Sequence, residues 1–204
     1  MGMIVLASGS PRRQELLAQA GVEFIVETSD VPEEMLKGEQ AADYVSRLAE
    51  EKARAVFARH DEPGTIVVGA DTCVLSEGEI LGKPLNKADA RRMLEGLSGR
   101  THQVLTGVAV VSEAGAQVAV EISQVTFDVI PLSEMEVYLD SGHADDKAGA
   151  YGIQGYCARW IPRIEGCYFN VVGLPIARTI SLLGLAKDKL KTTPLDPQAT
   201  VNVT

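Results

Sequence analysis

The chain has 204 residues, of which 46% are hydrophobic and 23% are charged, and its formal net charge at pH 7 is -9. These are globular proportions, and a chain of this length buries enough surface to fold without a disulfide or metal staple. The negative charge disfavours nucleic acid and anionic membranes as partners. The sequence has no apolar run of about 18 residues and no signal peptide, and its three cysteines lack CxxC spacing. A cytoplasmic protein without membrane spans is therefore expected.

Hydrophobic periodicity and turn residues define the elements of the first half. Pro11 suits the first position of a helix capped by Ser10, and Gly21 suits its end. The longest helical pattern has an apolar face that only Lys52 interrupts. The predicted elements are a strand at 3–7, a helix at 11–20, a strand at 22–26, a helix at 40–60 and a strand at 65–75.

The second half adds hairpin-like strand pairs to this β-α-β opening. Asn86 caps a predicted helix, and Ser133 with Glu136 predicts a capping box for another. The predicted elements are a helix from 86 to 97, strands at 102–112 and 117–130, a helix from 133 to 139, short strands near 158–164 and 167–172, and a helix from 174 to about 183. Together they predict an α/β protein with a mixed sheet.

The segment SGSPRR at 8–13 lies between a predicted buried strand and a helix N-terminus. The free N–H groups and the helix dipole at that position favour an anion. Arg12 and Arg13 oppose the dipole unless an anionic ligand offsets them. The segment predicts a phosphate site, and the alternative is a solvated first turn that tolerates two arginines.

Two further charges fall inside apolar patterns. Lys52 either extends its amine to the edge of the helix face or binds a ligand. Asp71 follows a buried run in GADT, and a buried carboxylate needs a partner, a metal or a catalytic role. It is predicted as a general base or metal ligand, with a hydrogen-bonded turn aspartate as the alternative.

Two glycine-containing segments complete the candidate site. Lys83 lies between Gly82 and Pro84 in a segment with the wrong spacing for a phosphate-binding P-loop. The stretch 146–155 offers backbone that a ligand can approach closely and Gln154 as a donor and acceptor for a base edge, although it could equally be a structural loop. These bases and acids together suit a polyphosphate with a divalent metal.

Six segments occur in the order found in Maf proteins, which the chain resembles over about 1–185. They are SGSPRRQELL, GADTCV, the GKP turn, LSGRTHQVLTG, DKAGAYGIQG and NVVGLP. The resemblance implies an elongated two-lobed fold similar to inosine triphosphate pyrophosphatases, with a cleft. It implies one domain over 1–186 and a homodimer. The segment 187–204 has two prolines and few large apolar residues and is expected to be a loosely ordered tail.

The resemblance also implies an activity: hydrolysis of a nucleoside triphosphate to the monophosphate and pyrophosphate with Mg²⁺ or Mn²⁺. Asp71 matches the position of the proton acceptor, and Glu33 and Asp71 are candidate metal ligands. Ser8, Arg13, Glu33, Lys52 and Lys83 match positions that line the cleft, with Lys52 and Lys83 in catalysis. Arg12, Thr72 and Gln154 match positions linked to substrate choice, and their combination is similar to the branch that acts on dTTP and UTP.

Alternatives remain open at this point. The substrate could be another or modified nucleotide, and the chain could act mainly as a binding protein that inhibits septum formation, since Maf proteins have been associated with that role. One departure from the family pattern is His143-Ala144 in place of a common Glu-Pro pair before DKAGAYG. His143 could weaken metal binding or shift its pH dependence. Asp146 is retained, so activity is expected to survive.

Overall fold

A mixed sheet of seven strands forms the centre of the computed structural model, which describes residues 2–192. The predicted α/β class with a mixed sheet is confirmed. The strands are β1 (Ile4–Leu6), β2 (Ile25–Val26), β3 (Ile66–Ser76), β4 (Glu79–Leu81), β5 (Thr101–Ser112), β6 (Gly115–Thr126) and β7 (Arg163–Glu165). The helices are α1 (Pro11–Gln19), α2 (Ala41–Phe57), α3 (Lys87–Leu97), α4 (Leu132–Asp140), α5 (Tyr168–Val172) and α6 (Ile176–Thr192), with 3-10 helices at Ala148–Ala150 and Tyr156–Trp160.

The strand register sets the position of the site. The order is β2-β1-β3-β5-β6-β7. β1 is parallel to β2 and β3, whereas the pairs β3–β5, β5–β6 and β6–β7 are antiparallel, and β4 pairs antiparallel with β3. β1 pairs with β3 only as far as Leu6 opposite Val68. Asp71 and Thr72 therefore lie beyond the end of β1, beside the turn at 8–10 that follows it.

The two faces of the sheet bury different helices. Alternate residues of β1 and β3 pack against α2 on one face, and the residues between them pack against α1 and α6 on the other. α2 approaches the sheet unusually closely because Gly69 and Gly107 lie beneath it. A Cβ on either glycine would lie 2.2 Å from an α2 carbonyl oxygen, that of Ala49 or Val45. This contact fixes the depth at which α2 places Lys52.

Two predictions about the second half are wrong. The segment 167–172 is predicted as a short strand, and its valines are typical of one, but it forms helix α5. The Asn170 amide, which donates to the Val104 carbonyl (2.9 Å), anchors this turn in the interior and overrides the strand preference. The segment 158–164 is divided between a 3-10 helix and β7.

Two element boundaries also differ from expectation. The predicted capping box does not form, because α4 begins at Leu132 with Pro131 before it, which leaves Ser133 inside the helix. Glu136 instead pairs with Arg91. The last helix starts after Pro175 and continues to Thr192, so residues 187–192 of the expected tail are helical. The rest of that tail, 193–204, lies outside the described residues.

Candidate active site

A cavity of about 820 Å³ opens where the turn after β1, the middle of β3 and the 146–155 segment meet. Its volume is in the range of small-molecule sites. The structure brings every predicted site residue to this cavity. Its lining includes Ser8, Arg12, Arg13, Glu33, Lys52, Asp71, Thr72, Lys83 and Gln154.

Lys52 joins two acids at one end of the cavity. Its Nζ lies 2.6 Å from Asp71 Oδ1 and 2.6 Å from Glu33 Oε1. Lys52 is 7% exposed and Asp71 is 6% exposed, so neither charge reaches bulk water. Lys52 therefore does not extend its amine to the helix edge, and Asp71 lies within β3 rather than in a turn. Their roles stay predictions. The buried carboxylate has an ammonium partner, which offsets its desolvation.

Glu33 connects this buried pair to a more exposed lysine. Its Oε2 accepts from Lys83 Nζ at 3.4 Å. Burial by itself would raise the pKa of Glu33, but the hydrogen bond and charge of Lys52, with those of Lys83, outweigh it and lower the pKa. Glu33 is thus held as an anion in the cavity.

Tyr44 is a cavity residue that the sequence analysis missed. Its hydroxyl donates to the Glu33 carbonyl oxygen at 3.1 Å. Burial, together with the charges of Asp71 and Glu33, raises the pKa of Tyr44 to about 12, so it remains a donor. Its position on the apolar face of α2 made it look like a core residue.

Arg13 is held by three acceptors from three parts of the fold. Its Nε donates to the Gly173 carbonyl at 2.9 Å, Nη1 to Ser8 Oγ at 3.3 Å and Nη2 to Thr72 Oγ1 at 3.0 Å. Burial lowers the pKa of Arg13, against the opposing charges of Asp71 and Glu33, yet a guanidinium stays protonated. The Arg13 guanidinium is therefore a fixed positive charge between Ser8 and Thr72.

The N-terminus of α1 is open toward the same turn. Ser10 makes no side-chain cap, and its own N–H donates to Ser8 Oγ at 3.3 Å. The first turn of α1 contains no acid. The first-turn N–H groups and the positive end of the helix dipole are therefore free of a competing carboxylate from that turn.

The opposite wall carries its own charges. Arg12 Nη1 lies 3.1 Å from Asp146 Oδ2, and Lys147 Nζ donates to the other oxygen of Asp146 and to the His143 carbonyl (2.6 Å). Burial would raise the pKa of Asp146, but Lys147 and Arg12 outweigh it and lower the pKa. The exposed His143 ring contacts Ser141 Oγ at 2.9 Å. The expected effect of His143 on metal binding stays a prediction.

Tyr151 in the cavity wall makes a buried hydrogen bond to a histidine in the core. The Tyr151 hydroxyl lies 2.8 Å from Nε2 of His102, which is 3% exposed. Burial lowers the pKa of His102 to about 4, so the ring is neutral at pH 7. His102 lies in the segment LSGRTHQVLTG, but the sequence predicted no separate role for it.

A chain of hydroxyl groups leads from Arg13 into the core. Thr72 and Thr106 are cross-strand partners on β3 and β5, with their Oγ1 atoms 2.9 Å apart. Thr106 Oγ1 donates to the Asn170 carbonyl at 3.0 Å. The sequence analysis missed Thr106 and Asn170, although a polar residue within the apolar run of β5 was a usable signal.

The acids of the cavity could contribute only part of a metal site. Among residues 2–192, no group of three or more His, Cys, Asp or Glu side chains could hold a metal ion by itself. Mg²⁺ commonly takes one or two carboxylates and completes its shell with substrate phosphates and water. Glu33 and Asp71, which share the Lys52 ammonium, fit that pattern in donor type and number.

Fold and cavity together define an α/β protein whose buried cations and acids suit a small anionic ligand. The chain belongs to the Maf family: the family model described as Maf-like protein matches residues 3–186. A dTTP/UTP pyrophosphatase of Hahella chejuensis is 50% identical over 181 residues, which cover 88% of this chain and 90% of that protein. A dTTP/UTP pyrophosphatase of Symbiobacterium thermophilum is 50% identical over 183 residues, which cover 90% and 93% respectively.

Solved structures resemble the chain more distantly. A HAM1 protein from Coxiella burnetii is 17% identical with a TM-score of 0.44, covering 94% of this chain and 98% of that one. A dITP/XTP pyrophosphatase from Mycobacterium abscessus is 17% identical with a TM-score of 0.42, covering 94% and 100%. Likenesses at this level assign neither fold nor function. Within the described part of the chain, no helix is long and apolar enough to cross a membrane.

Proposed function

We propose that this protein is a nucleoside triphosphate pyrophosphatase that converts dTTP and UTP to the monophosphate and pyrophosphate. The observation that carries the proposal is the buried Lys52, held 2.6 Å from both Asp71 and Glu33 inside a cavity that also contains Arg13 and Lys83. A buried acid beside fixed cations suits the activation of water next to a phosphate chain. The names of relatives with about half of their residues identical support the same reaction.

The phosphates are proposed to lie on the turn at 8–13. There the first-turn N–H groups of α1 and the Arg13 guanidinium face one anion. Lys83, whose side chain is 58% exposed, also lines the cavity and lies 3.4 Å from Glu33, so its ammonium can neutralise phosphate charge there. These contacts position the substrate and neutralise charge, which supplies most of the acceleration in phosphoryl transfer.

Asp71 is proposed as the proton acceptor. A water oxygen attacks the α-phosphorus, the bond from that phosphorus to the α–β bridging oxygen breaks, and pyrophosphate leaves with the bridging oxygen. The proton of the water passes to the Asp71 carboxylate. Lys52 donates to Oδ1 of Asp71 and thereby orients the carboxylate within the cavity.

A divalent cation is proposed as the cofactor, held by Glu33 and Asp71 with phosphate oxygens as further ligands. When bound, Mg²⁺ or Mn²⁺ supplies charge neutralisation at the phosphates. Arg12, Thr72 and Gln154 are proposed to contact the pyrimidine, and all three line the cavity. Arg12 is paired with Asp146, which also lines the cavity, so a substrate group that contacts Arg12 must share or separate this ion pair.

A substrate panel tests the function. The protein is incubated with Mg²⁺ or Mn²⁺ and dTTP, UTP, CTP, GTP, ATP or 7-methyl-GTP, and pyrophosphate and phosphate are measured separately. Pyrophosphate from dTTP and UTP alone is the expected result. Pyrophosphate from other bases would preserve the chemistry and refute the substrate assignment. No release from any nucleotide would refute the enzyme and favour the binding-protein alternative.

The assembly is a separate proposal. The family resemblance implies a homodimer, and we propose that state for this chain. Light scattering coupled to size-exclusion chromatography tests it, with a mass near twice 21.8 kDa expected and a mass near 21.8 kDa contradicting it.

A further inference from the structure

The hydrogen bonds that end at Asn170 have a direction that the structure determines. The guanidinium of Arg13 can only donate hydrogen bonds, and the backbone carbonyl of Asn170 can only accept them. Between them lie two hydroxyl groups, those of Thr72 and Thr106, each with one proton. The successive distances are 3.0, 2.9 and 3.0 Å.

Only one arrangement satisfies all three contacts. The Asn170 carbonyl lies at a fully buried residue and needs a donor, and Thr106 Oγ1 provides one. The single proton of Thr106 is then committed, so the Thr72 hydroxyl must donate to Thr106. Thr72 in turn accepts from Arg13 Nη2.

This arrangement limits what Thr72 offers to a ligand. The Thr72 hydroxyl donates its proton to Thr106, and one of its two lone pairs accepts from Arg13. One lone pair remains, and it can only accept a hydrogen bond. Thr72 lines the cavity, whereas Thr106 is 0% exposed behind it. A substrate group that meets Thr72 must therefore be a hydrogen-bond donor.

The anchor of the chain is itself fixed. Asn170 Nδ2 donates to the Val104 carbonyl and to Ser123 Oγ, both at 2.9 Å. These side-chain bonds fasten α5 to β5 and β6. The backbone carbonyl of Asn170 is therefore held in place facing Thr106. Gly173, one residue beyond α5, also holds Arg13 at 2.9 Å, so both ends of the chain depend on the same short helix.

We propose that Thr106 is a specificity-determining positioning residue, which leaves Thr72 with only an acceptor toward the cavity and so selects pyrimidines that carry a hydrogen on N3. Uracil and thymine have an N3–H donor, whereas the N3 of cytosine is an acceptor. An acceptor facing N3 pairs with the first two bases and opposes the third. The inference rests on the proposed function and names the group that rejects cytosine nucleotides.

The test compares UTP with CTP in two variants of Thr106. Thr106→Val removes the hydroxyl, which frees the Thr72 proton to turn into the cavity, and Thr106→Ser keeps it. The ratio of kcat/KM for UTP to that for CTP is expected to fall about tenfold or more in Thr106→Val and to be restored in Thr106→Ser. An unchanged ratio in a folded Thr106→Val protein would overturn the inference.

A matched control separates selectivity from stability. Thr179 is also 0% exposed, and its Oγ1 also donates to a backbone carbonyl at 3.0 Å, that of Pro175. Thr179→Val loses a buried hydroxyl bond on α6, where the Pro175 carbonyl keeps the Thr179 N–H as a donor, and it should leave the UTP-to-CTP ratio unchanged. A drop in that ratio equal to that of Thr106→Val would assign the effect to general destabilisation and overturn the proposal.

A measurement on the unaltered enzyme does not depend on whether Thr106→Val folds. The triphosphate of 3-methyluridine lacks the N3–H donor, and its kcat/KM should be about tenfold or more below that of UTP. Equal use of the two would overturn the inference while leaving the pyrophosphatase proposal intact. If UTP itself yields no pyrophosphate, both proposals fail together.

Discussion

Gly107 on β5 lies directly beneath the backbone of Val45 on α2. A methyl group built on Gly107 would lie 2.2 Å from the Val45 carbonyl oxygen and 2.5 Å from its carbon. The neighbouring contact between Gly69 and Ala49 has the same character. Both glycines bring the backbone of α2 onto the sheet, so Lys52, three residues after Ala49, reaches the sheet at the level of Asp71.

Gly107→Ala is expected to force α2 away from the sheet. Because the clash is with backbone, the fold cannot relieve it by rotating a side chain, and a loss of about 1–3 kcal/mol in unfolding free energy is expected. Chemical denaturation measures it, and pyrophosphate release should fall as Lys52 moves. Gly184→Ala in α6 is the control, since its Cβ would meet nothing within 4 Å. Equal stability of Gly107→Ala and the unaltered protein would contradict this account.

Asp71→Asn is expected to reduce pyrophosphate release by about 10²–10⁴-fold, the usual contribution of a general base. The amide is nearly isosteric, and Lys52 keeps its bond to Glu33, so the folded state should persist in circular dichroism. Asp145→Asn, at an exposed position outside the cavity lining, is the control and should retain full turnover. Near-normal turnover of Asp71→Asn would remove Asp71 from this role.

The lowered pKa of Glu33 predicts a pH-dependent contribution to stability. The folded state binds this proton less tightly than the unfolded chain, so the contribution is complete above about pH 4.5 and is lost as the pH falls through the lowered folded value. The difference in melting temperature between the unaltered protein and Glu33→Gln should therefore shrink below pH 4.5. A constant difference from pH 7 to pH 3 would contradict the assignment.

His102 acts in a higher pH window. Its folded pKa of about 4 lies below the ordinary value of 6.5, so protons bind preferentially to the unfolded chain between these values. Stability should fall by up to about 3 kcal/mol as the pH drops from 6.5 to 4. Urea denaturation at several pH values should show a flatter pH dependence of stability for His102→Gln than for the unaltered protein. An identical slope in His102→Gln would refute the prediction.

Local patterns predicted the elements around the site well. Pro11 after Ser10 predicted the start of α1, and the apolar face of α2 predicted the helix and singled out Lys52, whose burial only the structure shows. The α5 segment was mistaken for a strand because its valines favour strands, whereas buried bonds of Asn170 from elsewhere in the chain fix its helical turn. Such long-range contacts leave no periodic signal.

Partners within the site were equally hard to predict. The sequence identified Lys52 and Asp71 separately, but only the depth of α2 over Gly69 and Gly107 shows that they touch. Thr106 has the pattern of an ordinary strand residue. Its importance comes from the hydrogen bond that its hydroxyl donates to the backbone carbonyl of Asn170, which lies far away in the sequence.

The two walls of the cavity differ in how their charges are carried. Lys52 and Asp71 belong to a regular helix and a central strand whose backbones are in contact, whereas Asp146 and Lys147 belong to the turn-rich segment 141–147. Any adjustment to an incoming nucleotide should therefore occur on the turn side alone. Hydrogen–deuterium exchange should show slow amides along α2 and fast ones in 141–147, with added nucleotide slowing the second group much more than the first.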